Sequence, residues 1–78
     1  MWTNAYSAED LGAFLQEVRK KRGITQKEMA EMLGYSTVTL SALETGKNVS
    51  YHKIEKYLQL LGMRLVVVPK TAAVEVRE

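Results

Sequence analysis

The stretch TQKEMAEMLGYSTVTLSALETG, residues 25–46, decides the fold of this chain. Thr25 followed three residues later by Glu28 is a capping-box pattern, which predicts a helix that begins directly after Thr25. That helix ends at Gly34, because glycine accepts the left-handed backbone of a helix end without a steric penalty. The stretch therefore predicts two short helices joined by a tight turn.

The second helix of this stretch is capped by Ser36 and runs to about Thr45. Its periodicity turns Leu40 and Leu43 toward the core. The side chains that then face away from the core are Thr37, Val38, Ser41 and Ala42. We expect this outward face to be the surface that contacts a ligand.

Two further helices flank this pair. The first begins after Ser7, ends at Gly23 and carries apolar residues at helical spacing, namely Leu11, Phe14, Leu15 and Val18. The last begins after Ser50, ends at Gly62 and turns inward Ile54, Tyr57, Leu58 and Leu61. An apolar residue precedes each cap and is paired with the fourth helical residue as a hydrophobic staple: Tyr6 with Leu11, Ile24 with Met29, Tyr35 with Leu40, and Val49 with Ile54.

The order of small and apolar residues in this stretch matches a known pattern. Counted from Gln26, the matching residues are Ala30, Gly34, Leu40 and Leu43. Over residues 7–61 the chain resembles the Cro and lambdoid-repressor type of helix-turn-helix, the Xre family. The resemblance implies a mainly α, four-helix, lambda-repressor-like domain that places its second motif helix in the major groove of double-stranded DNA.

A short apolar segment follows the helices. It spans residues 63–68, is rich in β-branched residues and is bounded by Gly62 and Pro69, a composition typical of a β-strand. A lone strand needs a partner for its unpaired edges, and the simplest partner is the same strand of a second copy. The expected dimerisation residues are Met63, Arg64, Leu65, Val66, Val67 and Val68.

This arrangement is similar to the HipB-type antitoxins, whose Xre domains dimerise through a C-terminal strand. The resemblance implies an autoregulatory repressor that binds a palindromic operator and is also a candidate antitoxin with a cognate toxin protein, a HipA-type kinase in the HipB case. Solitary regulators share the same architecture. Whether a toxin exists is therefore open at this point.

The resemblance also assigns roles to residues. Base contacts are expected from Thr37, Val38, Ser41 and Ala42, and phosphate contacts from Gln26, Ser36, Thr39, Lys47, Asn48 and Tyr51. None of the base-contacting residues is Arg, Asn or Gln, so bidentate contacts to purines are missing, while Val38 and Ala42 can contact a thymine methyl group. We expect a thymine-containing half-site, with further discrimination from DNA shape.

Arg19 and Glu44 are predicted to form a structural ion pair. Glu44 stands near the C-terminal end of its helix, where a carboxylate is unfavourable unless a cation lies beside it. Arg19 matches the family arginine that pairs with this glutamate. The neighbouring lysines Lys20 and Lys21 are expected to be solvated.

Composition sets the remaining bounds. Seventy-eight residues with a net charge of +2 and no cysteine predict one domain, residues 7–62, with an arm at 1–6, the strand at 63–69 and a flexible tail at 70–78. Trp2 is expected to pack on the domain or on a dimer mate. The longest apolar run is too short to span a membrane, so we expect a cytoplasmic protein.

One isolated histidine, His52, and the lack of a phosphate-binding loop predict no enzyme activity, no metal and no cofactor. The alternative to a DNA-binding repressor is an adaptor that uses the helix-turn-helix as a scaffold and acts mainly by binding a partner protein.

Overall fold

The computed structural model describes residues 3–69, which form four helices: α1 (Ala8–Lys21), α2 (Gln26–Leu33), α3 (Thr37–Glu44) and α4 (Tyr51–Leu60). The predicted four-helix architecture is confirmed. None of the helices within residues 3–69 is both long and apolar enough to cross a bilayer. The expectations for Trp2 and for the tail at 70–78 lie outside the described residues.

Side-chain caps begin three of the four helices. The side-chain oxygens of Ser7, Thr25 and Ser36 each accept the backbone N–H of the residue three positions further on, at 3.1 Å. Glu28 completes the capping box by accepting the Thr25 N–H at 3.0 Å. Ser50 is the N-cap of α4, but its hydroxyl makes no capping hydrogen bond. Each of the first three helices is thus fixed at its start by local chemistry.

The apolar residues that precede the helices divide into two groups. Ile24 and Tyr35 are partly buried and pack against the core. Tyr6 and Val49 are 87% and 65% exposed, so the staples predicted for α1 and α4 are wrong. Before α1 the chain is held instead by a polar contact, in which the Tyr6 N–H donates to the Asp10 carboxylate at 3.2 Å.

One core joins all four helices. Its buried apolar residues are Leu15, Val18, Met29, Ala30, Leu33, Leu40, Leu43, Ile54, Tyr57, Leu58 and Leu61. The predicted Leu11 and Phe14 lie at its edge and are partly buried. The core therefore follows the helical periodicity of the sequence.

Two glycines bring α1 close to the end of α3. A Cβ atom on Gly12 would lie 2.5 Å from the carbonyl oxygen of Leu43, and one on Gly46 would lie 2.6 Å from the backbone nitrogen of Glu9. Gly46 also has a left-handed φ of 76°. Because these approaches leave no room for a side chain, they fix the position of α3 against α1.

Long cationic side chains connect the remaining helix ends. The Arg22 guanidinium donates to the carbonyl oxygen of Leu61 at 2.8 Å, and the Lys56 ammonium donates to the carbonyl oxygen of Leu33 at 3.0 Å. Both carbonyls belong to helix C-termini, where cations are favourable. These contacts hold α4 against α1 and α2.

The segment after α4 differs from the prediction. Residues 63–69 have no regular secondary structure, and no strand occurs anywhere in the described part of the chain. Met63 is partly buried against the core and its N–H donates to the carbonyl oxygen of Leu58 at 2.8 Å, whereas Val66 and Val67 are 60% and 89% exposed. A strand is defined by hydrogen bonds to a neighbouring strand, and residues 3–69 of one chain offer none.

Candidate nucleic-acid interface

A shallow open groove runs along the exposed face of α3. It brings the four predicted base-contacting residues together with two of the predicted phosphate-contacting ones, and its lining consists of Gln26, Thr37, Val38, Ser41, Ala42, Thr45 and Lys47. Gln26 stands at the start of α2 and Lys47 in the loop after α3. The groove therefore joins both motif helices and the following loop.

The two faces of α3 have opposite characters. Leu40 and Leu43 are buried, whereas Thr37 is exposed and Val38 is 78% exposed. Ser41 and Ala42 are half-buried beside them. An apolar side chain as exposed as Val38 contributes little to folding. Its position in the groove makes it available to a ligand.

Thr45 is a groove residue that the sequence analysis missed. Its hydroxyl donates to the carbonyl oxygen of Ser41 at 2.8 Å and so closes the end of α3. The signal was present in the sequence, because Thr45 stands four residues after Ser41 and eight after Thr37, on one helical face.

A buried charged cluster supports the groove from behind. Arg19 donates from Nε and Nη2 to the two carboxylate oxygens of Glu44, at 2.7 and 3.0 Å, so the predicted ion pair is present and bidentate. Both residues are buried, with 4% and 3% of their surfaces exposed. The hydroxyl of Tyr57 donates to Glu44 Oε2 at 2.5 Å. The sequence analysis placed Tyr57 in the core but did not foresee this bond.

The cluster shifts the ionisation of its members. Burial by itself would raise the pKa of Glu44, but hydrogen bonds from Arg19, Tyr57 and Gln26, together with the positive charge of Arg19, lower it below its ordinary value. The hydrogen bond to Glu44 raises the pKa of Arg19. Burial, and then the hydrogen bond to Glu44, raise the pKa of Tyr57. The pair is therefore charged, and Tyr57 is neutral, at physiological pH.

Gln26 links this cluster to the groove. Its Nε2 donates to Glu44 Oε1 at 3.3 Å, while the residue itself remains partly exposed in the groove lining. The amide nitrogen therefore points toward Glu44. Gln26 keeps one further N–H of this nitrogen for an acceptor such as a phosphate oxygen.

A comparison with known families agrees with the two motif helices and the groove described above. The HTH_3 helix-turn-helix family matches residues 15–68. The chain belongs to this family. None of the curated proteins matches the sequence.

Solved structures of HipB are similar to this helix-turn-helix chain. A complex of a serine-to-alanine HipB variant with an O2 20mer is 26% identical, with a TM-score of 0.78, and covers 91% of this chain and 100% of its own. A complex of HipB with an O4 20mer and a complex of HipA and HipB with O2 and O3 are each 27% identical, cover 90% of this chain and 100% of their own, and have TM-scores of 0.77 and 0.76. Family and fold together identify a DNA-binding helix-turn-helix regulator whose fold is similar to that of HipB.

The remaining predicted phosphate-contacting residues of this helix-turn-helix domain lie outside the groove. The Ser36 hydroxyl donates to the Thr39 hydroxyl at 3.0 Å, at the N-terminus of α3. Asn48 is engaged internally, since its Oδ1 accepts the Ser50 N–H at 3.0 Å. Tyr51 is 58% exposed, and a hydrogen bond with Glu55 raises its pKa.

Within residues 3–69 no three His, Asp or Glu side chains lie close enough to hold a metal ion. His52 is exposed near the start of α4. The residues that line the groove offer hydroxyl, methyl, amide and ammonium groups.

Proposed function

We propose that this protein is a sequence-specific transcriptional repressor that binds operator DNA as a homodimer and regulates its own gene. The observation that carries the proposal is the groove on α3, in which an exposed row of small side chains is flanked by Gln26 and Lys47. An α-helix fits the major groove of B-DNA, and the groups at its two sides can contact the phosphates that border it.

Two features support phosphate contacts. Gln26 is the first residue of α2, where free backbone N–H groups and the positive end of the helix dipole favour an anion. Lys47 is exposed in the loop after α3 and supplies a positive charge at the other side of the groove. Ser36, Thr39, Asn48 and Tyr51 are further candidates; the bond from the Ser50 N–H uses the Oδ1 of Asn48 and leaves its amide N–H groups for a phosphate oxygen.

The side chains of α3 restrict the bases that the protein can read. Val38 and Ala42 contact thymine methyl groups in our proposal, and the hydroxyls of Thr37 and Ser41 bond to base edges. Since no side chain of this set makes a bidentate bond to a purine, DNA shape and deformability supply the rest of the specificity.

We propose further that the protein is an antitoxin. HipB is found in complex with HipA as well as with DNA, and these structures are similar to this chain along nine-tenths of its length. The exposed apolar residues 65–68 are the surface through which we expect the dimer to form, by pairing with the same segment of a second copy. We expect the protein to act in the cytoplasm.

Fluorescence anisotropy tests this function. The full-length protein is titrated against a duplex taken from immediately upstream of its own gene and against a scrambled duplex, at two salt concentrations. We expect tighter binding to the upstream duplex and weaker binding at the higher salt. The variant with Thr37→Ala and Val38→Ala should lose the preference between the duplexes.

Lys47→Ala separates phosphate contact from base contact. It should weaken binding to both duplexes and reduce the slope of log affinity against log salt by about one for each protomer bound. Lys20→Ala, an exposed lysine of α1 away from the groove, is the matched control and should change neither. Equal and weak binding of the two duplexes would overturn the repressor and favour the partner-binding adaptor.

A further inference from the structure

Val38 is the apolar side chain that α3 presents most openly. It is 78% exposed, and the groove is lined beside it by Thr37, Ser41 and Ala42 and farther along by Gln26, Thr45 and Lys47. Its two methyl groups can neither donate nor accept a hydrogen bond. Val38 itself can therefore recognise a base only by the shape and the apolar surface of that base.

Thymine offers one apolar group in the major groove, the methyl group at C5. A cytosine methylated at C5 carries the same methyl group in the same place, and the two pyrimidines differ in the groove at C4, where thymine has an oxygen acceptor and cytosine an amino donor. A protein separates them only if a side chain beside the methyl contact favours an acceptor over a donor, or the reverse.

The α3 residues directly beside Val38 show no such preference. The hydroxyls of Thr37 and Ser41 both donate and accept, so each can satisfy either group. A carboxylate would select the amino group, but Glu44 is buried and committed to Arg19 and Tyr57. The amide nitrogen of Gln26 is turned toward Glu44, and Lys47 lies in the loop beyond α3.

We propose that Val38 reads the pyrimidine 5-methyl group itself, so that 5-methylcytosine replaces thymine at the base pair against Val38. C5 methylation of a cytosine at that position then increases binding, which makes the protein responsive to the methylation state of its operator. The inference rests on the proposed DNA-binding function and adds to it a modified base as ligand.

The test uses the full-length protein and the duplex from upstream of its gene. Each T·A pair is replaced in turn by U·A, which removes the methyl group, by C·G, and by 5-methylcytosine·G. Removal of one buried methyl group should weaken binding about fourfold. At the pair against Val38 we therefore expect U·A and C·G to bind about fourfold or more weaker than T·A, and 5-methylcytosine·G to stay within about twofold of it.

Two variants tie the effect to the side chain. In Val38→Ala the penalty of U for T at that pair should fall from about fourfold to less than about twofold, because most of the apolar contact is gone. Met32→Ala, which shortens an exposed apolar residue of α2 outside the groove, should keep the wild-type pattern.

The outcomes separate the two proposals. Wild-type binding that is neither selective nor salt-sensitive overturns both. If binding is selective, three results would each overturn the role of Val38 and leave the repressor standing. They are tolerance of uracil at every thymine, binding of 5-methylcytosine·G as weak as that of C·G, and an unchanged pattern in Val38→Ala.

Discussion

Glu44 accepts four hydrogen bonds, and they come from three other helices. Arg19 of α1 supplies two, Gln26 of α2 one and Tyr57 of α4 one. A buried carboxylate is stable only when its charge and its lone pairs are satisfied in this way. The residue thus connects every helix of the domain at a single point.

Tyr57→Phe should destabilise the protein by about 1–3 kcal/mol, because it removes one donor from a buried charged acceptor. Lys21→Ala is a suitable control, since Lys21 pairs with Glu17 at 3.2 Å on the surface, where an ion pair contributes about 0.5 kcal/mol or less. Urea denaturation measures both. Equal midpoints for the two variants would show that the Tyr57 hydroxyl is not part of the stabilising cluster.

Acid should destabilise the protein through the same carboxylate. The pKa of Glu44 lies below its ordinary 4.5 in the folded state, so between the two values the unfolded chain binds more protons than the folded one. This contribution is fully present above the unfolded pKa and is lost as the pH falls through the folded pKa. Urea midpoints measured from neutral pH down to about pH 3 should therefore decrease.

Glu44→Gln isolates that contribution. The variant should be less stable at neutral pH and should lose less stability on acidification. Glu28→Gln is the control at a surface carboxylate. Hydrogen bonds with the backbone and the side chain of Thr25 lower the pKa of Glu28. If the urea midpoint of Glu44→Gln fell with pH as steeply as that of the wild type, Glu44 would not be the source of the acid sensitivity.

Part of the cluster around Glu44 could be predicted from the sequence. The partners Arg19 and Glu44 follow from helix-end electrostatics and from the family pattern. Tyr57 and Gln26 do not, because periodicity states only that a side chain points inward or outward, and the atom that its hydroxyl or amide meets is decided by how the helices pack. Thr45 follows from helical spacing once the groove is known.

The ends of the helices could be predicted from the sequence, but the close approach between helices could not. The starts and ends of α1 to α4 were predictable because capping residues and glycines mark them locally. The close approach of Gly12 to the end of α3 was not, since a glycine inside a helix carries no signal of what lies against it. A strand at 63–68 was predicted, but the described part of the chain does not form it, because a strand needs a neighbouring strand and residues 3–69 of one chain supply none.

The sign of the stability change in Gly12→Ala tests the close contact between α1 and α3. Helix propensity alone would make the variant more stable by about 1 kcal/mol. The added Cβ would lie 2.5 Å from the Leu43 oxygen and 2.7 Å from the Glu44 carbonyl, so we expect instead a loss of about 1–3 kcal/mol from overpacking. Thermal unfolding followed by circular dichroism distinguishes the two, and a rise in Tm would contradict the close contact between α1 and α3.

The exposed apolar residues after α4 bear on whether the protein forms a dimer. Val66 is 60% exposed in the segment we expect to pair with a second copy, and Val49 is 65% exposed in the loop before α4. Sedimentation of the full-length chain should show a dimer. Val66→Lys should yield a monomer, because an added charge opposes its burial between two copies.

Val49→Lys is the matched control and should remain dimeric. A dimer also gains thermal stability with protein concentration, so the Tm of the wild type, but not of Val66→Lys, should rise when the concentration is raised about tenfold. A monomeric wild type, or a dimer that Val66→Lys leaves intact, would place the assembly surface elsewhere.

The opposite characters of the two faces of α3 have a consequence for how such proteins diversify. Leu40, Leu43 and Glu44 maintain the fold, whereas Val38 and its exposed neighbours do not take part in the core. A gene duplicate can therefore accumulate changes on the exposed face without losing a folded product. In the repressor that we propose, a few substitutions on this face would change the operator that is bound, each with only a small effect on stability.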